Sequence, residues 1–206
     1  MKKTLKRILT LTLSLLVIVT LVGCQSNTDN EESEESNETE QTTPVNPDGK
    51  SLIVYFSWGG NTKEVATSLQ SITGSDIFEI VPSTPYSDDY DEVVDFAQEE
   101  QADDARPEIK DTIDNIADYD VIYVGYPNWW GDMPMILYTF FDNYDLSGKT
   151  IAPFATSSSS GLSDTVDTIK ELEGQATVTE GLSIYESELD DREDMISSWL
   201  SDMGLQ

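Results

Sequence analysis

The sequence predicts a three-layer α/β sandwich, a five-stranded parallel sheet with helices on both faces. Two observations carry this. From Lys50 onward, short apolar runs alternate with longer stretches whose apolar residues recur at helical spacing. The short runs are also nearly continuous in Val, Ile, Leu, Phe and Tyr, as strands covered on both faces must be. Residues 50–206 suffice for one sizeable core, and they contain no internal repeat.

The elements follow in order. Residues 51–56 read as the first strand. Residues 61–72 read as a helix with Val65, Leu69 and Ile72 on one face, Asn61 as its cap and Glu64 completing a capping-box pattern. Residues 76–81 read as a second strand and 88–103 as a helix bearing Tyr90, Val93, Val94 and Ala97. A third strand over 120–125 leads to an apolar helix over 133–144, with Pro134 tolerated in its first turn. A fourth strand over 150–155 precedes a helix over 163–173 that stops at Gly174. A fifth strand lies within 176–184, and a last helix over 189–203 presents Met195, Ile196, Trp199, Leu200 and Met203.

The N-terminus reads as targeting, not fold. Lys2, Lys3, Lys6 and Arg7 precede an apolar run over 8–22. That run is short of the roughly 20 residues a spanning helix needs, and the pattern is that of an export signal over 1–23. It ends in Leu21-Val22-Gly23-Cys24, which resembles a bacterial lipobox, so Cys24 is the expected lipid attachment site. Residues 24–49 then form an acidic tether with no Lys or Arg and no apolar residue between Gln25 and Pro44, expected to be disordered and to span roughly 25 Å or more. The expected location is the extracytoplasmic face of the cell membrane.

Composition excludes several chemistries. The chain has 40 Asp and Glu against 11 Lys and Arg, and four of those bases lie in the signal. Such a field repels nucleic acid and attracts basic protein surfaces. There is no His and one Cys, so His-dependent hydrolases and an intramolecular disulfide framework are excluded and no metal site is expected.

In a parallel sheet the ligand lies beyond the carboxyl ends of the strands. Three loops occupy that edge. Ser57-Trp58-Gly59-Gly60-Asn61-Thr62 joins the first strand to a helix N-terminus, where free amides and the helix dipole favour an anion. It has no Walker-type Lys, which disfavours nucleotide hydrolysis. Tyr126-Pro127-Asn128-Trp129-Trp130-Gly131 follows the third strand, and its paired Trp residues suit a flat ring, with one of the two expected to pack structurally on the 133–144 helix. Thr156-Ser157-Ser158-Ser159-Ser160-Gly161 follows the fourth strand and offers a row of hydroxyls.

Residues 55–62 resemble the opening strand and phosphate loop of flavodoxins, and Gly125-Tyr126-Pro127-Asn128-Trp129-Trp130-Gly131-Asp132-Met133-Pro134 resembles the flavin-ring loop of a bacterial flavodoxin-like subfamily. Arg106-Pro107 and Ser147-Gly148-Lys149-Thr150-Ile151 also fit that subfamily. The resemblance implies strand order 2-1-3-4-5 and non-covalent FMN. The phosphate would meet the loop of Ser57, Trp58, Gly59, Gly60, Asn61 and Thr62. The ring would lie between Pro127, Asn128, Trp129, Trp130 and Gly131 on one side and Thr156, Ser157 and Ser158 on the other. Two departures stand out. Gly59 replaces a customary Ser or Thr, a lost donor worth about 1 kcal/mol. Ser157 and Ser159 stand where the subfamily has His and Gly, and Ser resists a left-handed backbone.

The resemblance implies an FMN electron-transfer protein that meets a basic redox partner, with the chemistry carried by the flavin and no catalytic side chain. Tyr86, Tyr90 and Tyr126 read as packing or rim residues. One alternative is an FMN-dependent NAD(P)H:quinone or small-acceptor oxidoreductase, disfavoured by the seven Lys and Arg left after the signal. Another is a binding module of this fold that has lost FMN.

Overall fold

A computed structural model describes residues 49–205. The expected export signal, the expected lipid site Cys24 and nearly all of the expected tether lie outside the described residues. Among those described, no helix is long and apolar enough to cross a membrane.

Eleven elements alternate along the chain. They are β1 (Ser51–Tyr55), α1 (Asn61–Thr73), β2 (Asp76–Glu79), α2 (Tyr90–Ala102), β3 (Val121–Pro127), α3 (Met135–Asn143), β4 (Thr150–Ser157), α4 (Thr165–Leu172), β5 (Thr177–Val178), β6 (Leu182–Tyr185) and α5 (Arg192–Met203). Every strand pairing is parallel and the sheet order is β2-β1-β3-β4-β5, as the resemblance implied, with β6 also on β4. The expected fifth strand is thus broken in two. β5 pairs with the start of β4 and β6 with its end. Between them the Glu180 carbonyl turns out of the ladder to accept the Trp199 indole N–H at 2.9 Å.

The period-2 alternation of the strands sorts the core into two layers. Leu52, Val54, Phe56, Ile122, Val124 and Tyr126 face one side, with Ile136, Leu137 and Phe140 of α3 and Ile169 of α4. Ile53, Tyr55, Val121 and Tyr123 face the other, with Val65, Ala66 and Leu69 of α1 and Ile196, Trp199 and Leu200 of α5. The central pair admits no bulk at one point. A Cβ at Gly125 of β3 would collide with the Phe154 ring of β4, its register neighbour. Glycine there lets the ring lie across the strand.

Candidate functional site at the carboxyl edge of the sheet

β1, β3 and β4 each deliver one loop to the same edge, on either side of the point where the order reverses between β1 and β3. The predicted residues converge there, with altered roles.

In the first loop the helix cap is Gly60, held left-handed at φ 98°, not Asn61. Glycine accepts that conformation without the steric cost a Cβ brings. Asn61 becomes the first helical residue, and Ser57 supplies the cap: its Oγ accepts the amides of Gly60 at 3.2 Å and Lys63 at 3.3 Å. Having accepted twice, the Ser57 hydroxyl keeps its own proton to donate. The amides of Gly59, Asn61 and Thr62 have no protein partner among the described residues. A Cβ at Gly59 or at Gly60 would meet nothing within 4 Å. Open space, unpaired amides and a helix N-terminus together suit a phosphate monoester. Trp58 leaves this cradle: its indole N–H donates to the Ser87 carbonyl at 2.8 Å, and its ring lies 6.2 Å from that of Tyr90.

β3 runs on through Pro127, so the second loop begins at Asn128. Trp129 and Asp132 exchange backbone hydrogen bonds at 2.9 and 3.0 Å, closing a tight turn with Trp130 (φ 54°) and Gly131 (φ 82°) at its corners. The two Trp side chains part company. Trp129 stands edge-on to Phe56 and Tyr86, at 5.5 Å from each, and so packs inward against these rings. Trp130 is 54% exposed, and its indole N–H reaches across to the Val94 carbonyl of α2 at 3.0 Å. Asn128 is a clamp. Its backbone N–H donates to Thr156 O at 2.8 Å, its Oδ1 accepts from Gly131 N at 3.0 Å, and its Nδ2 donates to Gly161 O and Ser163 Oγ at 2.9 and 3.0 Å. The side-chain amide is occupied by protein, so Asn128 shapes the site by joining two loops.

β4 is longer than predicted and includes Thr156 and Ser157. Thr156 is buried, and its hydroxyl lies 2.8 Å from that of Thr62 beneath the first loop. Ser157 Oγ accepts the Gly161 amide at 2.9 Å. Ser158 points to Glu186 at 3.4 Å. The left-handed corners of this loop fall at Gly161 (φ 62°) and Ser163 (φ 50°), so Ser157 and Ser159 carry no such strain.

Tyr86, read from the sequence as a packing or rim residue, does pack, and the sequence reading missed its partner Glu100. Tyr86 packs edge-on against Trp129 and at a tilt against Phe56, and its hydroxyl donates to Glu100 at 2.9 Å. Burial pushes the Tyr86 phenol and the Glu100 carboxyl upward. Tyr86 lies in a Pro-containing stretch without periodicity, so the sequence gives no signal that its hydroxyl meets Glu100, 14 residues on. Tyr126 is wholly buried, with its hydroxyl on Thr165 Oγ1 at 2.8 Å, and Tyr90 is 67% exposed at the rim.

The comparisons agree with this architecture. A family model described as Flavodoxin matches residues 50–203. Among solved structures, one assigned as a flavoprotein from Bacteroides eggerthii is 33% identical, with TM-score 0.69 over 77% of this chain and 99% of that one. Another assigned as a flavoprotein, from Bacteroides uniformis, is 29% identical, with TM-score 0.66 over 72% and 98%. A Lactobacillus acidophilus flavoprotein solved in complex with FMN is 31% identical, with TM-score 0.56 over 69% and 97%. No curated protein sequence matches the chain. The chain belongs to the flavodoxin family.

Proposed function

We propose that the chain binds FMN non-covalently at the three loops and acts as an electron carrier, held by a lipid on Cys24 at the extracytoplasmic face of a bacterial membrane. The observation that carries the cofactor reading is the first loop: unpaired amides of Gly59, Asn61 and Thr62 beside a Ser57 hydroxyl free to donate. Those groups hold the phosphate, while Trp129, Trp130 and the strand end at Thr156 and Ser157 bound the ring. Bound FMN supplies one- and two-electron redox chemistry. The chain positions it, shields it and sets its electrostatics.

The acidic surface disfavours added negative charge in the site and steers a basic redox partner toward it. Residues 64–105 contain no Lys or Arg at all. Of the seven bases from Lys50 onward, Lys50, Lys63, Arg106, Lys170 and Arg192 form ion pairs and Lys149 is bound to the carbonyls of Ala117 and Tyr119. That leaves little positive charge for a dinucleotide phosphate and favours a carrier over an NAD(P)H oxidase.

Two experiments test the proposal. The FMN-loaded, reduced protein should pass electrons to cytochrome c, a basic acceptor, at a rate that falls steeply with added salt. Steady NAD(P)H oxidation without a second protein would contradict the carrier reading. The variant Cys24→Ser should leave the membrane fraction with its FMN content unchanged, and retention in the membrane pellet would overturn the anchor.

A further inference from the structure

Three side chains beside the ring loop combine in a way that holding FMN does not require. Two rings lie 5.5 Å from that of Trp129. Phe56 holds its electrons too tightly to give one up, whereas the Tyr86 phenol gives one readily when its proton leaves at the same time. The Tyr86 hydroxyl has a place to send that proton. It donates to Glu100 Oε2 at 2.9 Å, within the reach of a general base. Glu100 is 7% exposed, and burial raises its carboxyl above the ordinary value, which makes its carboxylate the stronger base. It also borders an open depression with Arg106 and Pro107, by which a proton taken from Tyr86 reaches water.

No other phenol among the described residues has both features. Tyr90 lies against Trp58 and Tyr123 against Trp199, but neither hydroxyl bonds a carboxylate. Tyr119 and Tyr138 donate to Asp76 and Asp132, but neither ring meets an indole. Tyr126 donates to the Thr165 hydroxyl, which is too weak a base to take a proton. Tyr86 alone sets its ring against an indole and its hydroxyl on a carboxylate.

We propose that Trp129, Tyr86 and Glu100 form a radical relay: when a one-electron oxidant of the photoexcited isoalloxazine class, seated at the ring loop, takes an electron from Trp129, the oxidation passes to Tyr86 and the phenolic proton to Glu100. The indole becomes a radical cation. An electron from Tyr86 restores it, and the Tyr86 O–H bond breaks as its proton joins Glu100 Oε2. The oxidant keeps the electron, Tyr86 is left a neutral radical and Glu100 a neutral acid. One electron from ascorbate, with the proton returned by Glu100, restores the phenol. The relay moves oxidation off the indole around which the ring loop is built. The identity of the oxidant rests on the FMN reading, and the relay itself does not.

The test oxidises the full chain, without FMN, by flash-generated tris(bipyridine)ruthenium(III), and follows the radicals by transient absorption and EPR. Tyr90→Phe serves as the background, because it removes the exposed phenol at the rim. An indole radical that decays into a neutral tyrosyl radical is expected. Tyr86→Phe should abolish this conversion and leave the indole radical long-lived. Glu100→Gln keeps an acceptor for Tyr86 and should slow the conversion by about tenfold or more. Deuterium oxide should slow it as well, a readout that stands even if the Glu100 variant folds poorly. In the FMN-loaded chain, blue light should produce the same tyrosyl signal, and Tyr86→Phe should lose it. A tyrosyl radical that forms as fast in Tyr86→Phe, or a rate unchanged in both Glu100→Gln and deuterium oxide, would overturn the relay. Conversion by ruthenium but none by blue light in the loaded chain would overturn the flavin as its oxidant. A chain that retains no FMN would sink the FMN reading instead, separately from the ruthenium result.

Discussion

The hydroxyls of Thr62 and Thr156 lie 2.8 Å apart, both buried, and they join the helix end of the first loop to the strand end that begins the third. Among the described residues no other hydrogen bond joins these two loops, so the pair sets the spacing between the proposed phosphate and ring subsites. Thr62→Val leaves the Thr156 hydroxyl buried without its partner, at a cost of about 1–3 kcal/mol in urea unfolding. Replacing both threonines by valine removes the stranded group, and the double variant should be less unstable than the sum of the singles. Additive losses would show that the pair is not coupled.

Asn128 makes a different kind of link. Its amide joins the second loop to Gly161 and Ser163 of the third while bracing Gly131 in its own loop. Asn128→Ala should weaken FMN binding by about tenfold while lowering stability by only about 1 kcal/mol, because the loops are exposed but their spacing is lost. Fluorescence quenching of FMN measures the first effect and denaturant unfolding the second. An unchanged FMN affinity would remove Asn128 from the site's support.

Gly59 offers a gain. Nothing lies within 4 Å of the Cβ it lacks, and its φ is not positive. Gly59→Ser can therefore restore a hydroxyl donor without strain, and should tighten FMN binding by about fivefold, the worth of one hydrogen bond near 1 kcal/mol. Weaker binding in that variant would mean that a side chain at position 59 obstructs the cradle.

Away from the site, Glu173 at the end of α4 is pushed up to about 7 by burial and by the carboxylates of Asp145 and Asp142. A carboxyl raised in the folded state takes up protons on folding between about pH 4.5 and 7. Its contribution to stability is present at the acid end of that window and is lost as pH rises through 7. Glu173→Gln should flatten this slope and stabilise the protein at pH 8 by about 1 kcal/mol, after allowance for solvent screening. Thermal unfolding at pH 5 and pH 8 measures both, and a slope retained in the variant would place the effect elsewhere.

Much of this fold is legible in the sequence because its strands are covered on both faces. β1 and β3 stand out as unbroken apolar runs, and the helix faces follow from Val65, Leu69, Ile196 and Leu200. Strand ends are less legible. β4 runs on through Thr156 and Ser157 because Pro127 and Tyr185 pair with them, and that pairing is tertiary. The break between β5 and β6 depends on Trp199, far along the chain. At the site, residue types point to the three loops but not to their division of labour. Asn61 looks like the cap until Ser57 is seen to turn back onto two amides. Trp129 and Trp130 look alike as neighbours, and only the positions of Tyr86 and α2 separate the inward ring from the exposed one.

The central claim is FMN at the three loops, and the most direct measurement is the visible absorbance of the purified full chain after incubation with FMN and removal of the excess. The account predicts oxidised-flavin bands retained at one equivalent, with FMN fluorescence quenched on binding. A folded protein that emerges colourless and leaves FMN fluorescence unquenched would contradict it.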